Sequence, residues 1–276
     1  MKMFAKIALR ELPKCMAKVI AISNQKGGVG KTTTAVNLAA SMAMAKKNVL
    51  LVDLDPQGNA TMGSGIDKRT IEKSAAHVLL EENDINQCII YSDTAGYDVL
   101  PSNDKLTAAE VGLLELRGRE FKLARALESI NKNYDYIFID SPPSLNMLTV
   151  NALVAAQSVI IPTQCEYYAL EGLTALLGTI ERIRQTANPK LKVEGVLRTM
   201  FDPRNNLAND VSTQLTTHFG DDVYRTIIPR NVTLAEAPSH GLPVIRYDKG
   251  SRGSRAYLAL AGEMLRREAA LAASGL

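Results

Sequence analysis

Residues 25–33 read Gln25-Lys26-Gly27-Gly28-Val29-Gly30-Lys31-Thr32-Thr33, and this stretch decides the fold. An apolar run, Val19-Ile20-Ala21-Ile22-Ser23, stands before it with the residue types of a buried strand. A helix-period stretch over 31–45 follows. Glycines at such a junction let the backbone turn its N–H groups toward an anion, and a helix N-terminus favours negative charge. Gly27, Gly28, Val29 and Gly30 would therefore cradle phosphate oxygens, with Thr33 completing the cradle. Lys31 would reach the terminal phosphates and the Thr32 hydroxyl would ligate Mg²⁺. The generic phosphate-loop pattern wants glycine at position 25, where Gln25 stands. A glycine-rich turn without a ligand is the bland alternative. The order of strand, loop, Lys-Thr and helix weighs against it.

Short β-type runs alternate with helical stretches outward from this loop. Strands are expected over 18–23, 48–53, 97–101, 134–140, 158–162, 192–199 and 223–228. Helices are expected over 31–45, 105–130, 145–156, 172–186 and 207–219. This alternation predicts an α/β fold, a single doubly wound domain with a mostly parallel sheet covered on both faces. In such sheets ligands bind beyond the carboxyl ends of the strands. No apolar run reaches the roughly 18 residues of a membrane span. The first fifteen residues are basic, but they lack an apolar core and a small-residue cleavage site. Met16 offers a second start, so 1–15 is expected to be a short appendage or an upstream start. Residues 16–276 would then be the single nucleotide-binding domain. The three cysteines (Cys15, Cys88, Cys165) are scattered and form no CxxC pair, which fits a reducing cytoplasm better than a disulfide framework or a zinc site. A net charge of +3 is too small to argue for a nucleic-acid partner from the total alone.

Two acidic motifs end apolar runs. Leu50-Leu51-Val52-Asp53-Leu54-Asp55 finishes the second expected strand. Tyr136-Ile137-Phe138-Ile139-Asp140 finishes the fourth and runs into Ser141-Pro142-Pro143. Carboxylates at strand ends can hold Mg²⁺ through its waters, and Asp140 fits that role. For Asp53 and Asp55 the competing reading is capping of a turn. Pro142 and Pro143 restrict the backbone just past the metal carboxylate, as a switch segment would need. Lys26 has two readings: a solvated surface lysine, or a cation turned outward to a nucleotide on a second subunit. His77, His218 and His240 are isolated and read as structural or solvated. Near the end, Arg225, Arg230, Arg246, Lys249, Arg252 and Arg255 face only Glu236 and Asp248. Within this set Lys249–Arg255 reads as a short, flexible, basic loop suited to phosphate contacts.

The run KGGVGKTT at 26–33 resembles the deviant Walker A motif of the ParA/MinD family of P-loop NTPases. Residues 24–34, followed by Asp53-Leu54-Asp55-Pro56-Gln57-Gly58-Asn59, resemble its ParA/Soj branch, which commonly carries the Gln-Lys-Gly-Gly seen here. The resemblance runs from Met16 to about Glu268. It implies that Lys26 contacts the partner's ATP across a sandwich homodimer and acts in hydrolysis with Lys31 and Asp55, the latter orienting the attacking water. It places Asp53 in the outer shell of Mg²⁺, and Pro229 and Asn231 beside the adenine. It implies a slow ATPase, stimulated by a ParB-like protein, whose ATP dimers bind double-stranded DNA nonspecifically at the nucleoid. Arg204 matches a DNA-contact position of the family. Thr233 stands where relatives often place a base, which leaves Arg230, Arg252 and Arg255 to compensate. A relative positioning another cargo is also compatible with the resemblance. A MinD-like membrane switch would need a basic amphipathic C-terminal helix with bulky anchors. Residues 257–273 are alanine-rich instead, so a docked helix and no stable membrane association are expected. An iron–sulfur or metabolic ATPase would need cysteines or a substrate motif that the spacing does not supply.

Overall fold

The structure, a computed structural model, describes residues 16–274; the expectation for residues 1–15, with Cys15, lies outside them. Strands are β1 (Lys18–Ile22), β2 (Val49–Asp53), β3 (Ile90–Ser92), β4 (Tyr97–Leu100), β5 (Tyr136–Asp140), β6 (Ser158–Gln164) and β7 (Lys192–Thr199). The helices of the first half are α1 (Lys31–Met44), α2 (Asn59–Gly63), α3 (Ala75–Leu79), α4 (Lys105–Leu113) and α5 (Lys122–Glu128). Those of the second half are α6 (Met147–Ala155), α7 (Ala169–Thr186), α8 (Asn206–Phe219), α9 (Val232–Glu236), α10 (Val244–Tyr247) and α11 (Arg252–Ala273). The strands form one seven-stranded sheet in the order β3-β4-β2-β5-β1-β6-β7, parallel except for the β3–β4 pair.

Every residue of β2 and β5 is buried, as parallel strands covered on both faces require. Alternate side chains serve opposite layers. Val19, Val52 and Ile137 pack with Leu79, Leu127, Leu148 and Leu176 of α3, α5, α6 and α7. Ile20, Leu51 and Phe138 pack with Leu38 and Met42 of α1 and with Tyr257, Leu260 and Met264 of α11. β1 lies between the central strand, β5, and β6. The chain leaves β1 at the carboxyl edge between connections that run in opposite directions, the place where this fold opens a crevice. The sequence reading of one α/β domain with a mostly parallel sheet holds.

Four local readings are corrected. The helix expected over 105–130 is two helices joined by a 3-10 turn at Arg119–Phe121. Gly118 adopts φ of 60°, and a Cβ there would sit 3.0 Å from the Arg125 guanidinium, so the chain reverses where the apolar pattern alone suggested continuity. The strand expected over 223–228 is reduced to two isolated bridges, Val196–Val223 and Phe201–Pro229. Side chains take its backbone groups instead: Arg198 donates to Tyr224 O at 2.9 Å, and Glu263 accepts from the Arg225 and Thr226 N–H groups at 2.9 and 2.8 Å. The sequence reading missed β3, a three-residue antiparallel edge strand too short to carry a periodic signal. Lys249–Arg255 is not a flexible loop: Ser251 caps α11 by accepting from Ser254 N–H at 3.1 Å, and Arg252 and Arg255 lie in the first helical turn.

That first turn is pressed onto α9. A Cβ on Gly253 would lie 2.6 Å from Leu234 Cγ and 2.9 Å from Asn231 Oδ1. Gly253→Ala should therefore cost about 1–3 kcal/mol as overpacking, read as a lowered denaturation midpoint. A midpoint matching the parent would show that α11 is not seated there.

Candidate functional site

The loop after β1 is built for an anion. Gly28 and Gly30 take φ of 73° and 86°, and Gly30 is the left-handed N-cap of α1. Among the described residues nothing lies within 4 Å of where a Cβ on Gly27 or Gly28 would stand. The Thr199 hydroxyl donates to Val29 O at 2.8 Å and ties the loop to the end of β7. A cavity of about 290 Å³ opens over the loop, lined by Gly27, Gly28, Gly30, Lys31, Thr32, Thr33, Asp55, Asn59, Pro143 and Met200. Of the sequence-predicted phosphate residues, all but the buried Val29 line this cavity, together with Asp55 and the second proline of the Pro142-Pro143 segment.

Lys31 is buried, and its ammonium donates to Lys26 O at 3.1 Å. Burial pulls it below the usual lysine range, while the charges of Asp140 and Asp55 oppose that pull. Asp140 is wholly buried, and among the described residues neither of its carboxylate oxygens has a hydrogen-bond partner. Burial, and next the charge of Asp53, push its carboxyl well above the usual range, only partly offset by the Thr32 hydroxyl and the Lys31 charge. An unpartnered buried carboxylate beside a hydroxyl is the donor set a hard divalent cation takes, so Asp140 and Thr32 fit Mg²⁺.

Asp53 differs. It faces Asp140 in register across β2 and β5. Its oxygens already accept from Asp55 N–H at 3.1 Å, Thr61 N–H at 2.8 Å and the Thr61 hydroxyl at 2.7 Å. In this arrangement it does the turn-capping work that was its alternative reading. Burial nevertheless pushes it up to about 6 against those hydrogen bonds. Asp55 is half-buried, accepts from Gln57 N–H at 2.9 Å and lines the phosphate cavity.

Lys26 does not line that cavity. Its N–H is held by Asn24 Oδ1 at 2.9 Å, and its ammonium pairs with Glu166 Oε2 at 2.6 Å. Both side chains are well exposed, 38% and 46%. Glu166, beyond β6, gave no signal in the sequence. Tyr167 and Tyr168 beside it are exposed and meet edge to face at 5.0 Å.

A second cavity, about 190 Å³, adjoins the loop and is lined by Pro229 and Asn231 together with Gly30, Thr33, Met200, Leu234 and Tyr257. Both residues expected at the base therefore line one cavity, the candidate base cavity. Tyr257 was not singled out, because its position depends on the approach of a distant segment. Of the histidines, His77 caps α3, accepting from Ser74 N–H at 3.1 Å. Cys88 and Cys165 are free and buried.

The pattern that defines the AAA domain matches residues 17–193. The chain is 53% identical over 249 residues to the sporulation initiation inhibitor protein Soj of Bacillus subtilis, covering 90% of this chain and 98% of that one. It is 50% identical to the chromosome partitioning protein ParA of Myxococcus xanthus, over 92% of this chain and 89% of the relative. This chain belongs to the ParA/Soj family of ATPases. Among solved structures it resembles a cobyrinic acid a,c-diamide synthase of Mycobacterium smegmatis with bound ATP analogue and magnesium. The TM-score is 0.81 at 38% identity, covering 91% of this chain and 94% of that one. It also resembles a putative plasmid partition protein of Borrelia burgdorferi bound to AMPPNP. There the TM-score is 0.77 at 27% identity, over 91% and 99% of the two chains.

The residues expected to contact DNA are all exposed, but they do not line one common cavity. Arg252 and Arg255 are exposed and share a groove of about 420 Å³ with Phe201, Pro203 and Pro229. Pro229 also lines the base cavity, so one residue separates the two. Arg230 is exposed and lines the base cavity itself. Arg204 is 88% exposed, but its guanidinium is clamped on Asp202 at 2.9 and 2.7 Å. Arg225 belongs to a different groove, with Arg266 and Arg267.

The aspartate pair sets a pH dependence. Asp53 has a folded value of about 6 against an ordinary 3.8, so the folded, metal-free chain binds more protons than the unfolded chain between these values. Its contribution is fullest below the ordinary carboxylate range and is lost as pH rises through about 6. The unfolding midpoint of metal-free protein should fall over that window and recover with Mg²⁺. Asp140→Asn should flatten the fall, raise stability at neutral pH by about 1–2 kcal/mol by removing a buried charge, and abolish ATP hydrolysis. A midpoint indifferent to both pH and Mg²⁺ would contradict the placement of these carboxylates.

Proposed function

We propose that this ATPase is a pairing switch for DNA partitioning. ATP-bound copies would join face to face, each lending Lys26 to the partner's triphosphate. The pair would bind duplex DNA nonspecifically at the nucleoid and be released when a ParB-like protein stimulates hydrolysis. The ATPase domain would be residues 16–276. The observation that carries the reading is the division of labour between two lysines. Lys31 is buried under the phosphate cavity, whereas Lys26, at the start of the same loop, stays outside it with its ammonium exposed. A nucleotide already met by Lys31 leaves the second cation, held by an exposed Glu166, available to another molecule.

In this reading Lys31 and the loop N–H groups hold the phosphates, and the base lies against Pro229 and Asn231. Asp140 and Thr32 would hold Mg²⁺, which neutralises charge on the phosphoryl oxygens when bound. Asp55, at the cavity wall, orients the attacking water. The partner's Lys26 would add positive charge as the transition state develops. As a point charge it lacks the fork of an arginine, in keeping with slow intrinsic turnover. The DNA surface would centre on Arg252 and Arg255, with Arg230 beside them and Arg204 once it leaves Asp202. Among the described residues no helix is long and apolar enough to cross a membrane. The apolar face of α11 is spent on the core through Tyr257, Leu260 and Met264, which disfavours a membrane-surface role for that helix.

Sizing by light scattering with and without ATP tests the pairing. Lys26→Ala should stay single at all nucleotide loads and lose at least about 10-fold in hydrolysis. Asp55→Ala should pair and bind DNA persistently while hydrolysis falls by about 10²-fold or more. A parent protein that hydrolyses ATP and binds DNA while remaining single would overturn the proposal. On duplex DNA, Arg252→Ala and Arg255→Ala should each lower the magnitude of the log–log salt slope by about 0.9 and weaken binding equally across sequences. An unchanged slope would move the DNA surface elsewhere.

A further inference from the structure

Met200 holds a backbone conformation that its side chain disfavours, with φ of 49° in the left-handed region. The pairing on either side explains why. Phe201 N–H donates to Ile228 O at 3.1 Å and Arg230 N–H donates to Phe201 O at 3.1 Å, which sets Phe201 opposite Pro229. A regular parallel ladder would next join Ile228 N–H to Thr199 O. Ile228 N–H donates instead to Arg198 O at 2.9 Å. One extra residue is therefore accommodated, and Thr199 and Met200 form a bulge at the end of β7. Bulges re-aim a side chain, and they recur beside active sites. The Thr199 hydroxyl is committed to Val29 O. Met200 is the residue that the bulge presents.

It is presented at a particular place. Gly30, Thr33 and Met200 line both the base cavity and the phosphate cavity. In a nucleoside triphosphate the sugar alone joins base to phosphates, so it must pass these three residues. Gly30 has no side chain, and Thr33 is fixed in α1. The Met200 methyl lies 3.7 Å from where a Cβ on Gly30 would stand, closing over the loop from the opposite wall. A flexible thioether fits an irregular apolar surface such as one face of a furanose. Strain of this kind persists where surrounding structure over-determines it, and it concentrates at ligand clamps.

We propose that Met200 is a nucleotide-binding residue, an apolar rest against the sugar that fixes the span between the base at Pro229 and the terminal phosphate at Lys31. The inference rests on ATP binding and not on pairing: a chain that binds ATP normally but never pairs would leave it standing. The test is calorimetry on the full chain, comparing the parent with Met200→Ala and Met200→Gly. The probes are Mg-ATP, Mg-ADP and inorganic tripolyphosphate. ATP and ADP should weaken by about 3- to 10-fold in both variants, the loss expected for a partly buried apolar side chain. Tripolyphosphate, which has no sugar, should bind within about twofold of the parent. Glycine accepts the left-handed backbone without strain, so Met200→Gly should fold at least as stably as Met200→Ala. ATP affinity within about twofold of the parent in Met200→Gly would overturn the proposal. So would a loss of tripolyphosphate matching that of ATP, since Met200 would then merely support the loop.

Discussion

The site depends on two carboxylates that the sheet forces together. β2 and β5 pair in register to their last residues, which sets Asp53 opposite Asp140 with no exposed surface on either side chain. Asp53 is partly relieved by Thr61, whereas neither Asp140 oxygen has a hydrogen-bond partner within 3.5 Å among the described residues. Placing like charges side by side in a low-dielectric interior is costly unless a proton or a cation intervenes. The metal-free chain meets that cost with raised carboxyl affinities for protons. A divalent cation meets it better. The strand register that builds the core thus also builds a demand for metal, and the phosphate loop opens beside it because β1 pairs with the same strand, β5.

Much of this was legible in the sequence, and for identifiable reasons. The phosphate loop, Asp55 and Asp140 sit directly after buried parallel strands, where the chain pattern and the chemistry agree. Pro229 and Asn231 were placed by resemblance, and both lie on the base cavity. What could not be read was set by contacts between distant segments. Glu166 meets Lys26 across 140 residues, and Met200 reaches the loop only because of a bulge against Ile228. The lost strand over 223–228 has the right composition, but Arg198 and Glu263 claim its backbone groups. The broken helix before β5 was masked by a helical apolar spacing that runs on through both halves, with Gly118 and its φ of 60° marking the break.

The base cavity and the basic groove are two sides of one wall. Pro229 belongs to both, and Gly253 seats the first turn of α11 against Leu234 and Asn231 without room for a methyl group. Arg252 and Arg255 ride on that turn. A shift of Asn231 on meeting a base would therefore pass into α11 through direct contact, with no intervening loop to absorb it. Close packing of this sort transmits small displacements.

The exposed contact between Lys26 and Glu166 has a consequence for how sharply the molecule responds. The ammonium of a solitary chain is not idle in solvent but parked on its own carboxylate 2.6 Å away. Such a solvent-screened contact is worth only about 0–1 kcal/mol, so a triphosphate can win the cation without difficulty. A neighbour offering anything less has to outbid an internal ligand whose effective concentration is high because the two groups share one chain. In the proposed pairing this parking place would be a mild discriminator, weakly disfavouring encounters between empty copies and giving way once a fully charged phosphate chain is presented. Dissolved salt would loosen the parked contact first, and with it the fidelity of that choice.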